Sequence, residues 1–85
     1  MNAKSKAGKV NRKASQEILW RLSINLRRLR KSRAYTQAQL AKYCGYCTSY
    51  ISNVERGTIN ITLSNLEALA YGLRCSADDL LREPL

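Results

Sequence analysis

The sequence predicts an all-α domain of five helices, and three observations lead to that prediction. Apolar residues recur three and four positions apart in several segments, which is the spacing of a helix with one buried face. No segment shows the sustained alternation of apolar and polar residues that a half-buried strand requires. Residue types that cap helices separate the periodic segments from one another. A chain of 85 residues has room for one small domain of this kind.

The first predicted helix follows a basic segment. Residues 1–14 contain five lysines and arginines and few apolar side chains. We therefore expect a flexible basic arm ahead of a domain that spans residues 15–85. Ser15 is the predicted N-cap, and the helix extends to about Arg33. Its apolar stripe consists of Ile18, Leu22, Leu26 and Leu29.

The second predicted helix is capped at both ends. Thr36 and Gln39 have the spacing of a capping box, in which each side chain binds the backbone N–H of the other residue. Leu40 and Ala41 are expected to face the core. Gly45 supplies the left-handed residue that ends the helix.

The third predicted helix begins near Cys47 or Thr48 and ends at Gly57. Ile51 and Val54 lie three positions apart and form its buried face. The outward positions carry mostly small polar side chains, namely Thr48, Ser49, Ser52, Asn53 and, at the end, Arg56.

Two further helices complete the predicted fold. Thr62 caps the fourth helix. Its apolar face consists of Leu63, Leu66, Leu69, Ala70 and Leu73. Ser76 and Asp79 form a second capping box, which opens a short last helix that ends before Pro84.

Charge is distributed unevenly along the chain. The net charge is +9, and residues 1–33 contain eleven lysines and arginines against one glutamate. Such a basic part is typical of a protein that binds a polyanion, although a solvated basic surface has the same composition. No apolar run approaches the roughly 20 residues that span a bilayer. We therefore expect a soluble, cytoplasmic protein that binds no membrane.

The three cysteines, Cys44, Cys47 and Cys75, fit a reducing compartment better than a disulfide framework. Cys44 and Cys47 form a C-x-x-C, but the chain has no histidine, and four zinc ligands are hard to assemble from three cysteines. We expect no metal and no cofactor. Cys44 is then a small core residue, and Cys47 lies near a helix cap.

Four segments in order resemble the phage repressor and Cro-type helix-turn-helix domains, also called the xenobiotic-response-element (XRE) family. They are Leu26-Arg27-x-Leu29-Arg30, Thr36-Gln37-x-x-Leu40-Ala41-x-x-x-Gly45, Tyr50-Ile51-Ser52-x-x-Glu55-Arg56-Gly57 and Leu63-x-x-Leu66-x-x-Leu69-Ala70. The resemblance implies a lambda-repressor-like fold whose third helix enters the major groove of double-stranded DNA. Within the family, the chain looks most similar to restriction–modification controller proteins.

The resemblance implies roles for individual residues. It assigns Thr48, Ser49 and Ser52 to base reading, with Asn53 beside them on an adenine or a phosphate. Gln37 would hold a phosphate and brace Thr48. The other expected phosphate contacts are Tyr50, Arg56, Asn60 and, at the flank of the first helix, Arg27 or Arg28. Without the family context, these residues would equally fit an ordinary polar surface.

Two charges and three departures from the family pattern concern the fold. Arg30 and Glu55 occupy positions that form a largely buried ion pair in related domains, so we assign them to structure rather than to DNA. Ala34 replaces the usual Gly before the second helix, so that turn either uses another geometry or carries strain. Cys47 replaces a hydroxyl cap, and Arg74 replaces a common Gly after the fourth helix.

The expected function is that of a sequence-specific transcriptional regulator, a repressor or autoregulator. One helix-turn-helix reads only a few base pairs, so we expect a homodimer on an inverted-repeat operator. The expected dimer surface consists of Asp79, Leu80, Leu81 and Leu85. Trp20 is either a lid over the core or a further dimer contact. Because no separate sensing domain is apparent, we expect no small-molecule ligand.

An alternative function is that of an antitoxin, which binds a partner protein through the arm or the first helix and autoregulates its operon. A toxin-like protein encoded by an adjacent gene would favour this alternative. An enzyme is not expected. The sequence has no histidine and no Gly-rich phosphate loop, and its few acidic residues lie at helix ends or in the expected ion pair.

Overall fold

The computed structural model describes residues 12–84. Within this range the chain forms five α-helices and no strand, which confirms the predicted fold class. The helices are α1 (Arg12–Ser32), α2 (Gln37–Cys44), α3 (Thr48–Arg56), α4 (Leu63–Leu73) and α5 (Ala77–Leu81). α1 packs against α3 and α5, and α2 packs against α3 and α4. Residues 1–11 of the expected arm and Leu85 lie outside the described residues.

α1 begins earlier than predicted, and the other helices do not bury its N-terminal turns. It begins at Arg12, so Ser15, the predicted N-cap, lies inside the helix. Leu22 is 3% exposed, whereas Ile18 is 40% and Trp20 is 48% exposed. The packed helices leave open grooves beside these N-terminal turns, and Trp20 lines one of them. None of the helices in residues 12–84 has the length and apolar character needed to span a membrane.

One core joins the five helices. Its fully buried leucine and isoleucine side chains are Leu26 of α1, Leu40 of α2, Ile51 of α3, Leu69 and Leu73 of α4, and Leu80 of α5. The burial of Leu80 corrects its assignment to the dimer surface, because a side chain with no exposed area cannot contact a second copy. Leu81 remains half-buried. The Asp79 carboxylate accepts the backbone N–H of Ser76 as part of the predicted capping box.

The ends of α2 and α3 also have the predicted structure. The Thr36 hydroxyl accepts the N–H of Gln39 at 3.0 Å, and the Gln39 side chain accepts the N–H of Thr36 at 2.8 Å. Gly45 and Gly57 end the two helices with φ angles of 82° and 71°. This left-handed conformation is one that glycine adopts at little cost.

Two residues other than glycine also adopt the left-handed conformation. Ala34 after α1 and Arg74 after α4 both have a φ of 58°. A Cβ atom in this region costs roughly 1 kcal/mol relative to glycine. Of the two alternatives for the turn at Ala34, the structure therefore shows the strained one.

A buried amide ties α1 to α5. The Nδ2 of Asn25 donates to the carbonyl of Leu80 at 3.0 Å and to that of Arg82 at 2.8 Å. Its Oδ1 accepts from Arg28 at 2.9 Å. The amide thereby satisfies carbonyls near the end of α5, and its own polar atoms are also satisfied.

Candidate nucleic-acid interface

α3 presents a polar face to solvent because the spacing of its apolar residues turns them into the core. Ile51 is 0% and Val54 is 1% exposed. The side chains of the opposite face are small and polar, exposed at Thr48 and Ser49 and half-buried at Ser52 and Asn53. Hydroxyl and amide groups on such a face donate and accept hydrogen bonds, which is the chemistry that reads base edges.

Arg56 organises this outer face of α3. Its guanidinium donates to the Ser52 Oγ at 2.9 Å and to the Asn53 Oδ1. Ser52 keeps its hydroxyl proton and Asn53 keeps its amide N–H groups as donors. The structure therefore brings one predicted phosphate contact and two predicted reading residues onto one surface.

α3 begins without a side-chain cap. Cys47 is the N-cap residue, and its side chain makes no capping hydrogen bond. Its Sγ lies 3.3 Å from the Ser49 Oγ. The hydrogen bond with Ser49 and contacts with nearby backbone N–H groups lower the pKa of this exposed thiol.

A buried carboxylate, Glu55, connects α3 to α1 and α2. Arg30 donates from Nε at 2.5 Å and from Nη2 at 3.0 Å. The Nε2 of Gln37 donates at 3.0 Å, and the Nε of Arg27 lies 3.5 Å away. The side chain of Glu55 is 0% and that of Arg30 is 10% exposed. The ion pair that the resemblance implies is therefore present and buried.

Opposing effects act on the pKa of Glu55. Burial raises this pKa, but the hydrogen bonds from Arg30 and Gln37, the charge of Arg30 and the hydrogen bond from Arg27 together hold it below its ordinary value. The Glu55 carboxylate is therefore ionised at neutral pH, and it orients the donors that surround it.

Gln37 lies at the start of α2, and its amide donates to Glu55, since a carboxylate is a strong acceptor. In the described residues no hydrogen bond joins Gln37 to Thr48, so the bracing role that the resemblance implies stays a prediction. The Oε1 of Gln37 can still accept a hydrogen bond, and the side chain stands beside α3.

Two of the predicted phosphate contacts lie apart from the Glu55 cluster. Arg28 donates to Asn25 on the side of α1 that faces α5, so only Arg27 of the two flanking arginines lies beside α3. Asn60 is exposed in the loop between α3 and α4, next to Ile18 of α1.

Asn65 is a residue of this surface that the sequence reasoning missed. Its Nδ2 donates to the Tyr50 hydroxyl at 2.9 Å, and its Oδ1 accepts from the Tyr46 hydroxyl at 2.8 Å. Burial raises the pKa of Tyr50, and its hydroxyl, which accepts from Asn65, keeps its proton as a donor at neutral pH. A polar residue within the apolar stretch of α4 was the available signal.

The cysteines take packing and capping positions. Burial raises the pKa of the Cys44 thiol to about 11, as expected of a small core residue. Within residues 12–84, no group of three or more metal-ligating side chains is assembled. All three thiols are free.

Comparison with known proteins identifies the family. The sequence model of the Helix-turn-helix family matches residues 26–80. The chain belongs to this family. The family consists of DNA-binding transcription regulators and includes restriction–modification controller proteins.

Two curated relatives illustrate the match. The "Neisseria hypothetical transcription factor" of Neisseria meningitidis is 39% identical over 69 residues, which are 81% of this chain and 65% of that protein. The alignment thus spans slightly less than two thirds of this relative's length. Control protein C.BamHI of Bacillus amyloliquefaciens is 39% identical over 75% of this chain and 78% of its own length.

Solved structures share the fold. The Neisseria transcription factor NHTF superposes with a TM-score of 0.76 at 39% identity, over 79% of this chain and 77% of that chain. The restriction–modification controller protein C.AhdI from Aeromonas hydrophila superposes with a TM-score of 0.72 at 34% identity, over 76% of this chain and 94% of that chain.

Proposed function

We propose that this protein is a transcriptional regulator, a repressor or autoregulator, that binds an inverted-repeat operator as a homodimer. The observation that carries the proposal is the outer face of α3. There, four small polar side chains stand on a helix that Glu55 fixes to α1 and α2. A rigid helix with exposed hydrogen-bonding groups is the element that reads the major groove.

The proposed contacts divide into two groups. Thr48, Ser49, Ser52 and Asn53 read base edges, with Ser and Thr hydroxyls contributing modest discrimination. Gln37, Arg27, Tyr50 and Arg56 surround this face and bind phosphates, which fixes the register of α3 on the duplex. Asn60 and Arg28 are more peripheral members of the second group. The net charge of +9 strengthens binding to any duplex.

The homodimer is proposed because two copies read twice as many base pairs as one. We place the dimer surface at Leu81, which lines an apolar groove together with Ile18 and Leu63. Leu63 is 81% exposed, so its burial against a second copy is favourable. Asp79 remains a proposed member of the dimer surface, and Leu85, the other predicted member, lies outside the described residues.

A matched pair of serine variants tests the reading role of α3. Ser52→Ala removes a hydroxyl from the proposed reading face, whereas Ser64→Ala removes one from an exposed position on α4. We expect Ser52→Ala to reduce the ratio of operator to random-DNA affinity by about fivefold, since a lost hydrogen bond costs about 1 kcal/mol. Ser64→Ala should leave the ratio unchanged. Equal ratios for both variants, measured by anisotropy titration, would contradict the assignment.

Removal of residues 1–11 tests the proposed role of the basic segment. This deletion removes Lys4, Lys6 and Lys9. We expect affinity for operator and random duplexes to fall alike, and the salt dependence to flatten by about 0.9 in log–log slope for each lost phosphate contact. A changed base preference after the deletion would show that the segment reads sequence instead.

A further inference from the structure

A second surface of the molecule is unused by the proposed DNA contacts. It is a groove between α2 and α4, lined by Tyr35, Lys42, Tyr43, Tyr71, Arg74 and Cys75. At its floor the two helices approach closely at Gly72, where an added Cβ would collide with the Sγ of Cys44. None of the lining residues belongs to α3. We call this surface the tyrosine groove.

The side chains of the tyrosine groove have the composition of a protein interface. Tyr71 is 80% exposed and Tyr43 is 48% exposed. The ring of Tyr43 lies 4.9 Å from that of Tyr35 at an interplanar angle of 57°, so the two rings pack against each other. Tyrosine and arginine are enriched at interfaces and among the residues that contribute most to binding.

Arg74 contributes a cation to this groove from an unusual backbone position. It stands in the left-handed conformation at the end of α4, where α2 and α3 use Gly45 and Gly57. An arginine is strained at such a position and a glycine is not. Ala34 is strained in the same way, so the feature that concerns binding is the cationic side chain that Arg74 contributes to the lining of an aromatic groove.

The charge of the groove indicates what binds there. Its lining carries the cations Lys42 and Arg74 and no carboxylate. The basic segment of residues 1–11 contains three lysines and no acidic residue, so it would be repelled. Two cations are too few for the basic track that single-stranded nucleic acid requires beside its stacking aromatics.

We propose that the tyrosine groove is a docking site for an acidic segment of a partner protein that also carries an apolar or aromatic side chain. The carboxylates of the segment pair with Lys42 and Arg74. Its apolar side chain packs on the rings of Tyr43 and Tyr71. The site lies away from the outer face of α3, so a regulator bound to DNA keeps it open.

The test begins with selection of binding peptides from a pool of random 12-residue peptides on the full chain. Counter-selection on the Lys42→Ala/Arg74→Gly double variant removes peptides that bind elsewhere, including those held by the basic segment. We expect enrichment of peptides that combine Asp or Glu with aromatic or large aliphatic residues. A pool without such enrichment would overturn the proposal.

Two glycine variants then separate binding from folding. Arg74→Gly and Ala34→Gly both place glycine at a left-handed position with a φ of 58°, so both should keep or raise the melting temperature. Affinity for a selected peptide should fall about tenfold or more in Arg74→Gly and stay within twofold in Ala34→Gly. Equal affinities would overturn the proposal.

Parallel measurements distinguish other occupants and the proposed function. Competition by an oligothymidine that is lost in Arg74→Gly would assign the groove to nucleic acid, and weaker self-association of that variant would assign it to a second copy. Either result would overturn the proposal. Operator affinity of Arg74→Gly is expected to stay within about twofold of the parent value. The docking proposal and the proposed DNA binding are therefore tested independently of each other.

Discussion

At the scale of single residues, Glu55 links the fold to the candidate interface. One carboxylate accepts hydrogen bonds from Arg30 of α1 and Gln37 of α2, and Arg27 lies within 3.5 Å. Arg30 is buried and holds the helices together, whereas Arg27 is exposed beside α3. The same anion therefore stabilises the domain and positions groups that we propose to contact phosphate.

The buried pair makes Arg30 a sensitive position. Arg30→Ala leaves the Glu55 carboxylate without its main partner, and an uncompensated buried charge costs about 3–5 kcal/mol. We expect the free energy of unfolding, measured in urea, to fall by this amount. The double variant Arg30→Met/Glu55→Leu should lose less, because neither charge remains buried. A loss well below 1 kcal/mol for Arg30→Ala would show that the pair is not buried in solution.

Glu55 also predicts how stability depends on pH. Its folded-state pKa lies below the ordinary value of 4.5. The stabilisation it contributes is therefore complete above about pH 4.5 and is lost as pH falls through the folded-state pKa. We expect unfolding free energy to decrease with acidification below pH 4.5, and less steeply in Glu55→Gln. Identical slopes in the two proteins would contradict this assignment, since Asp79, whose pKa is also lowered, is present in both.

At the scale of elements, the helices were predictable because their signals are local. The capping boxes at Thr36 and Ser76 and the glycine ends of α2 and α3 involve residues within a few positions of one another. Their chemistry can be read directly from the sequence. α1 begins at Arg12, ahead of the predicted start at Ser15. Serine is a good N-cap, but it does not prevent a helix from continuing through it.

Contacts between elements were harder to predict. Asn25 donates a hydrogen bond to the carbonyl of Leu80, 55 positions away, and no local sequence pattern predicts such a pair. Leu80 is an apolar residue of α5, but the sequence does not show whether its side chain faces the core or a second copy. For the same reason, the sequence predicted a phosphate contact for Gln37 but not its hydrogen bond to Glu55.

The missing cap of α3 gives a prediction for that element. Cys47 has the backbone conformation of an N-cap, with φ −87° and ψ 160°, but its side chain makes no capping hydrogen bond. Cys47→Ser supplies a hydroxyl acceptor, which should stabilise the protein by about 0.5–1 kcal/mol. Thermal unfolding measures the gain, and Cys47→Ala is the control that removes the thiol without adding a cap. No difference between the serine and alanine variants would show that the cap is not limiting.

At the scale of the whole molecule, the described domain carries two surfaces with different chemistry. The outer face of α3 is small and polar, and the groups that we propose to bind phosphate surround it. The tyrosine groove is aromatic and cationic, and it lies between α2 and α4. Charge is concentrated in the first 33 residues, where eleven of the fifteen lysines and arginines occur. We therefore propose that the first 33 residues supply general attraction to a polyanion and that α3 recognises a particular site.

The most direct test of the central claim is selection of bound duplexes from a random-sequence pool with the full protein. We expect enrichment of an inverted repeat whose half-sites lie about one helical turn apart, roughly 34 Å, because two copies of α3 read it together. Ser52→Ala should weaken that enrichment. Failure of the pool to converge, with steeply salt-dependent binding to every duplex, would contradict sequence-specific reading by α3 and leave only electrostatic attraction.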